Sequence, residues 1–269
     1  YTDTHAGTSN KTVTVGNVTV NDGFSGGNYA VTYADNTTST INTAALTVTA
    51  LTQTKVYDGN TTVVSSALGT GYSVSGLITG ETLDSVTLAY ATKDVSRDGS
   101  GVVQSNKTIT VGGAVATSGT QLTDYAISYV NNTASTITPY VVSLTGTRVY
   151  DATTDVAASK LVIGTLVGSE TLTLTGVGTV ADKNVASGKA VGLGTLALGN
   201  GTNGGLGSNY TLVGGGRTVD VTRATISTIS GVTATNKIYT GNTSAALVTT
   251  NAVFNGMFSG DDLNVATST

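Results

Sequence analysis

The sequence predicts an all-β chain built from tandem antiparallel β-sandwich domains, immunoglobulin-like in outline and joined into a semi-rigid rod. Three observations carry that expectation: apolar and polar residues alternate with period two, the composition favours strands over helices, and a set of short motifs returns in constant order.

The alternation is local and clear. Val13 and Val15 share one face with Thr12 and Thr14 on the other, and Val86, Leu88 and Tyr90 likewise share a face, as do Ile109 with Val111 and Tyr125 with Ile127 and Tyr129. This is the pattern of half-buried strands, whose successive side chains point to opposite faces. Thr, Ser, Gly, Asn and Val dominate, while the helix formers Glu, Lys, Gln and Met are scarce. β-Branched side chains are stiff at χ1 and pack well on a pleated surface. The hydrophobic fraction of 39% is too high for a disordered linker, so a folded core is expected. Asn21-Asp22-Gly23, Gly26-Gly27 and Gly112-Gly113 read as turns between short strands.

The motifs define a repeat. Lys55-Val56-Tyr57-Asp58-Gly59-Asn60-Thr61 returns as Arg148-Val149-Tyr150-Asp151-Ala152-Thr153-Thr154 and as Lys237-Ile238-Tyr239-Thr240-Gly241-Asn242-Thr243. The three tyrosines stand roughly ninety residues apart. An acidic turn follows at Gly80-Glu81-Thr82-Leu83, Ser169-Glu170-Thr171-Leu172 and Gly260-Asp261-Asp262-Leu263. A Lys-led strand comes next, at Lys11, Lys107 and Lys189, and then an Asn/Asp-Tyr strand at Tyr29, Tyr125 and Tyr210. The order divides the chain into the back half of one repeat (1–42), two complete repeats (43–138 and 139–222) and the front half of a fourth (223–269). No Gly/Ser-rich or Pro-rich linker separates them, and the single proline, Pro139, sits at a joint, where its missing donor costs least. A period near ninety is too long for one coil of a β-helix, which leaves a continuous β-solenoid as the alternative.

These residues resemble the YDG-type repeat of filamentous-haemagglutinin-like, two-partner-secretion surface adhesins of Gram-negative bacteria. The signature residues are Tyr57, Asp58, Gly59, Tyr150, Asp151, Tyr239 and Gly241, with Ala152 standing where the second copy would have glycine and Thr240 where the third would have aspartate. The resemblance implies export, display at the cell surface and tandem stalk domains that support adhesion, cell–cell contact or biofilm formation. It assigns no ligand. Some members carry sugars on Asn-x-Ser/Thr sites, of which this chain has several, Asn60 and Asn131 among them.

Candidate chemistry is sparse. Cysteine is absent and His5 is the one histidine, so neither a catalytic triad nor a zinc site can be assembled from the usual side chains. Gly188-Lys189 lacks the rest of a phosphate-binding loop, and Gly204-Gly205-Leu206-Gly207 reads as a flexible hairpin. Asp58, Asn60, Glu81 and Asp84 offer oxygens for calcium if the two turns meet. Against this, Asp and Asn in turns ordinarily bond their own backbone. Tyr57, Tyr150 and Tyr239 are read as core or corner tyrosines with the hydroxyl bonded to backbone, in preference to a sugar platform.

The net charge of −4 supplies no basic stripe for nucleic acid. No run of about twenty apolar residues occurs to span a membrane, and Tyr1 is not preceded by a leader, so the chain reads as an excerpt. The expectation is therefore a non-enzymatic, cofactor-free structural segment of an adhesin. Its partners would be the neighbouring repeats, other copies in a fibre completed by strand exchange, or a host or cell-surface glycan bound by the repeats themselves.

Overall fold

The computed structural model describes residues 1–265. The chain is all-β; among the described residues the strands are interrupted by three single-turn 3-10 segments, and no helix is long and apolar enough to cross a membrane. It divides into two compact units, residues 1–138 and 139–269.

In the first unit, β1 (Gly7–Val13) and β2 (Asn36–Ile41) form an antiparallel pair with Gly7 opposite Ile41. Segment 43–138 then contributes β3 (Ala44–Ala50), β4 (Thr54–Val56), β5 (Tyr72–Ser75), β6 (Leu83–Tyr90), β7 (Lys107–Ala116), β8 (Tyr125–Val130) and β9 (Asn132–Thr138). These make a three-stranded sheet, β5-β3-β8, and a four-stranded sheet, β4-β9-β7-β6. Alternate residues of both sheets are buried: Leu46, Val48 and Ala50 of β3, Val86 and Tyr90 of β6, Ile109 and Val111 of β7, and Ile137 of β9. Each such aliphatic side chain contributes about 1.5–3 kcal/mol, so this core is the main source of stability.

The expected purely antiparallel pairing does not hold. β3 runs parallel to β8, with Leu46 beside Ile127, and β4 runs parallel to β9, with Lys55 beside Ile137. Alternation reports which face a strand buries and leaves its direction open, so the sequence pattern is compatible with either pairing. Both strands also pass from one sheet to the other, at the breaks between β3 and β4 and between β8 and β9.

The second unit repeats the plan in shorter pieces. It contains β10 (Tyr140–Val141), β11 (Leu144–Val149), β12 (Asp155–Ala157), β13 (Leu161–Ile163), β14 (Leu172–Thr175), β15 (Val177–Thr179), β16 (Ala186–Ala190), β17 (Ala197–Asn200), β18 (Tyr210–Thr211) and β19 (Arg217–Thr222). β10 is parallel to β18 and β11 to β19, with Arg148 beside Val221, the counterpart of Lys55 beside Ile137. β20 (Thr228–Ser230), β21 (Thr233–Ala234), β22 (Leu247–Val248) and β23 (Val253–Asn255) follow as two antiparallel pairs, β20 with β23 and β21 with β22.

Two turn assignments are corrected. Gly112-Gly113 lies inside β7, where Gly113 takes φ +57° at an irregularity in the pairing with β6, so the glycines permit a bulge and the strand continues. The run 204–209 closes no hairpin, since β17 pairs with β14 and β18 with β10. A Cβ on Gly205 would stand 1.9 Å from the Thr171 carbonyl oxygen, so glycine there serves a close backbone approach.

Candidate functional site

The signature turn is organised by a cation that the period-two pattern turns inward. In β4 the side chain of Lys55 is buried, Val56 is 54% exposed, and Tyr57, just past the strand, is fully buried. The strand thus turns its lysine inward and its valine outward. An ammonium group leaves water at a cost of several kcal/mol unless oxygens replace it. The turn supplies them. Lys55 Nζ donates to Asp58 Oδ1 at 2.7 Å, to the Asn60 carbonyl at 2.8 Å, to Asn60 Oδ1 at 3.2 Å and to the Thr62 carbonyl at 3.0 Å. It also lies 5.3 Å from the centroid of the Tyr90 ring. The backbone completes the turn: the Asn60 amide donates to Asp58 Oδ1 and the Thr62 amide to Asn60 Oδ1. Burial works to raise the Asp58 carboxyl, but the bonds from Lys55 and the Asn60 amide outweigh it and hold its pKa below the usual value.

The other two copies gather oxygens in the same way, around a buried arginine in one and an exposed lysine in the other. Arg148, buried, donates from Nη1 to Asp151 and from Nη2 to the Thr153 carbonyl at 2.7 Å. Lys237 Nζ donates to the Asn242 carbonyl at 2.7 Å, to Asn242 Oδ1 at 2.9 Å and to the Ser244 carbonyl at 2.7 Å. The third position of the signature takes positive φ in all three, +79° at Gly59, +63° at Ala152 and +74° at Gly241. Alanine thus occupies a conformation that favours glycine. Arginine is also the poorer fit, since its Nε is buried with no hydrogen-bond partner.

The acidic turn and the Asn/Asp-Tyr strand meet within each complete repeat. The Tyr125 hydroxyl donates to Glu81 and accepts from the Ile78 amide at 3.0 Å. The Tyr210 hydroxyl donates to Glu170 Oε2 at 2.6 Å and accepts from the Val167 amide at 3.2 Å. Burial, with the Glu170 carboxylate beside it, pushes the Tyr210 phenol up to about 12. The Lys-led strand also turns its lysine inward. Lys107 reaches Thr92, Lys11 reaches Asp3, and Lys189 donates to Asp182 Oδ1 at 2.6 Å. Burial pushes the Lys107 ammonium down, opposed by the charge of Asp94.

Successive sequence repeats touch inside each unit. In the first, His5 Nδ1 lies 2.7 Å from Asp124 Oδ2, the Ala6 amide donates to Asp124 Oδ1 at 2.7 Å, and His5 Nε2 is 3.1 Å from the Gln121 amide nitrogen. The hydrogen bond to Asp124 raises His5 above its ordinary value. In the second, Asp261 accepts from the Tyr150 hydroxyl at 2.7 and 2.9 Å and from Lys183 Nζ at 2.7 Å. Phe258 packs edge-on to the Tyr150 ring at 5.8 Å. Lys183 and then Tyr150 hold the Asp261 carboxyl below its usual range.

The structure therefore separates the calcium candidates. Asp58 and Asn60 turn their oxygens to Lys55, Glu81 accepts from Tyr125, and Asp84 is exposed on β6. No group of three or more His, Asp or Glu side chains that could hold a metal ion gathers among the described residues. The tyrosine reading is corrected in part. Tyr57 is buried, Tyr150 is half-buried with its hydroxyl on a carboxylate and not on backbone, and Tyr239 is 93% exposed. The parallel strand that holds the backbone of Tyr57 and of Tyr150, through Thr138 and Thr222, has no counterpart after Tyr239 among the described residues.

Residues 132–219 match the YDG domain family model. The matched stretch contains the Arg148 turn, the Glu170–Tyr210 pair and the first half of the closing strand β19. No curated protein matches the chain. No solved structure matches it either.

Proposed function

We propose that this chain is a structural stalk segment of an exported bacterial surface adhesin, with segments 43–138 and 139–222 as sandwich modules of a semi-rigid rod and no catalytic role. The observation that carries the reading is the side-chain latch between successive repeats, in which the acidic turn of a following repeat, at Asp261, receives the signature tyrosine and Lys183 of the one before it. Parallel pairing of first and last strands supports it, because it sends the chain on from the far end of each module. The residues that recur are spent on holding turns and joints. Asp58, Asp151, Glu81 and Glu170 each have a hydrogen-bond donor within their own repeat.

The test is retention of ligands on the immobilised 269-residue chain, with panels of glycans and extracellular-matrix proteins. A stalk segment gives no saturable retention and an elongated particle in small-angle X-ray scattering. Saturable glycan binding, abolished by substitutions on a patch common to the two complete repeats, would replace this reading by that of a binding module.

A further inference from the structure

We infer that the first and last strands of each complete repeat form a shear clamp, which lets the chain bear tension applied along its length. The inference deepens the stalk reading and rests on it, since tension acts on a segment held at both ends. It is carried by a parallel ladder that both repeats possess.

In segment 43–138 the chain enters through β3 and β4 and leaves through β8 and β9. Ala44 to Thr49 pair in parallel with Tyr125 to Val130, and Thr54 to Val56 with Thr136 to Thr138. The ladder stays bonded where both strands change sheets. The Thr136 amide donates to the Gln53 carbonyl at 2.9 Å, the Gln53 amide to Ser135 Oγ at 3.1 Å, and Asn132 Nδ2 to Thr52 Oγ1 at 2.9 Å. Tyr57 closes it, its amide donating to the Thr138 carbonyl at 2.8 Å. Segment 139–222 has the same arrangement. Tyr140 and Val141 pair with Tyr210 and Thr211, Leu144 to Val149 pair with Arg217 to Thr222, and the Tyr150 amide donates to the Thr222 carbonyl at 2.8 Å.

The direction of loading follows from the register. Ala44 lies at one end of the first ladder and Thr138 at the other, so tension between them slides the entering strands past the leaving ones. Bonds loaded in this way share the force and yield together, which slows forced unfolding. An antiparallel pair would put entry and exit at the same end, where bonds peel one at a time. The ladders are also shielded. Leu46, Val48, Ser135, Ile137, Leu144 and Val219 are buried in or beside them, and a setting without water strengthens their hydrogen bonds. In the first repeat a third strand fastens the ladder, since the Tyr90 hydroxyl of β6 donates to the Gln53 and Thr136 carbonyls at 3.0 and 3.3 Å. Val180, whose amide bonds to Thr154 as that of Tyr90 bonds to Thr61, has no hydroxyl to do the same in the second repeat.

The experiment is single-molecule force spectroscopy on the intact chain, which has no native cysteine, so handles attach only at introduced thiols. Thr43→Cys with Arg223→Cys loads both ladders in shear, whereas Thr43→Cys with Thr123→Cys pulls from one end of the first ladder; all three positions are exposed. The first pull should give two ruptures, each releasing one repeat, at about twice the force of the second pull or more. Tyr90→Phe should lower the rupture of segment 43–138 in the first pull and leave the second pull unchanged, because peeling begins at Ala44 and that hydroxyl sits further along the ladder, at Gln53. Circular dichroism and the unfolding midpoint of each variant establish that it is folded. Equal forces in the two directions, or an equal loss in both on Tyr90→Phe, overturn the clamp. Either result leaves the stalk reading standing, since that reading fails on ligand retention and not on force.

Discussion

The turns at Lys55 and Lys237 are built alike, yet their tyrosines have opposite fates. Both lysines hold an asparagine carbonyl, an asparagine Oδ1 and a further backbone carbonyl, and both turns place glycine at positive φ. Tyr57 is nevertheless fully buried and Tyr239 almost fully exposed. The turn is thus a local device, set by a cation and the oxygens of the next few residues, whereas burial of the tyrosine depends on strands and turns distant in sequence. The Arg148 turn stands between them, with a guanidinium in the cradle and alanine where glycine fits best.

Substitutions at the cation should break this comparison most severely. Lys55→Met removes the buried ammonium that holds the exposed Asp58 carboxylate and the carbonyls of Asn60 and Thr62, at an expected cost of about 2 kcal/mol in chemical denaturation. Lys237→Met, at an exposed copy, should cost less than about 1 kcal/mol. Equal effects at the two sites would show that burial does not decide the lysine's contribution. Next in size, Tyr150→Phe removes a hydroxyl shared by two Asp261 oxygens. Hydrogen exchange within residues 223–265 should accelerate by about tenfold, corresponding to roughly 1.5 kcal/mol. Ala152→Gly relieves a left-handed alanine and should stabilise segment 139–222 by about 1 kcal/mol, whereas Gly59→Ala should destabilise 43–138 by a similar amount.

The smallest effects are pH-dependent and have opposite signs at the two joints. His5 titrates above its ordinary value, so its contribution is complete below about pH 6.5 and is lost as pH rises through the raised value. Asp261 titrates below its ordinary value, so its contribution is complete above about pH 4 and is lost as pH falls through the depressed one. Amide exchange at Ala6 should therefore gain protection, relative to the intrinsic rate, as pH drops from about 8.5 to about 6, while amides near Asp261 show no such change. Loss of protection at Ala6 on the same change would contradict the His5–Asp124 pairing.

Much of the local structure was legible in the sequence. Alternation located β6, β7 and β8, and the repeating motifs marked the residues that meet in space, Glu81 with Tyr125 and Glu170 with Tyr210. The parallel pairing of β3 with β8 was not legible, because alternation reports which face is buried and carries no information on strand direction. Lys55 was overlooked for a related reason. A lysine in a strand reads as a solvent-facing residue, although period two places it on the face of Tyr57 and the Lys, Arg, Lys series at that position was a visible signal. The calcium candidates turn on the same residue, since the oxygens of Asp58 and Asn60 face an ammonium ion supplied by the chain itself.

The cation-held turn is tested most directly by nitrogen-15 NMR of the chain labelled on lysine. The Lys55 ammonium should exchange its protons slowly at near-neutral pH, with nuclear Overhauser contacts to Asn60 and Thr62, while the exposed Lys160 exchanges too fast to be seen. A Lys55 ammonium that exchanges as rapidly as Lys160 would contradict it.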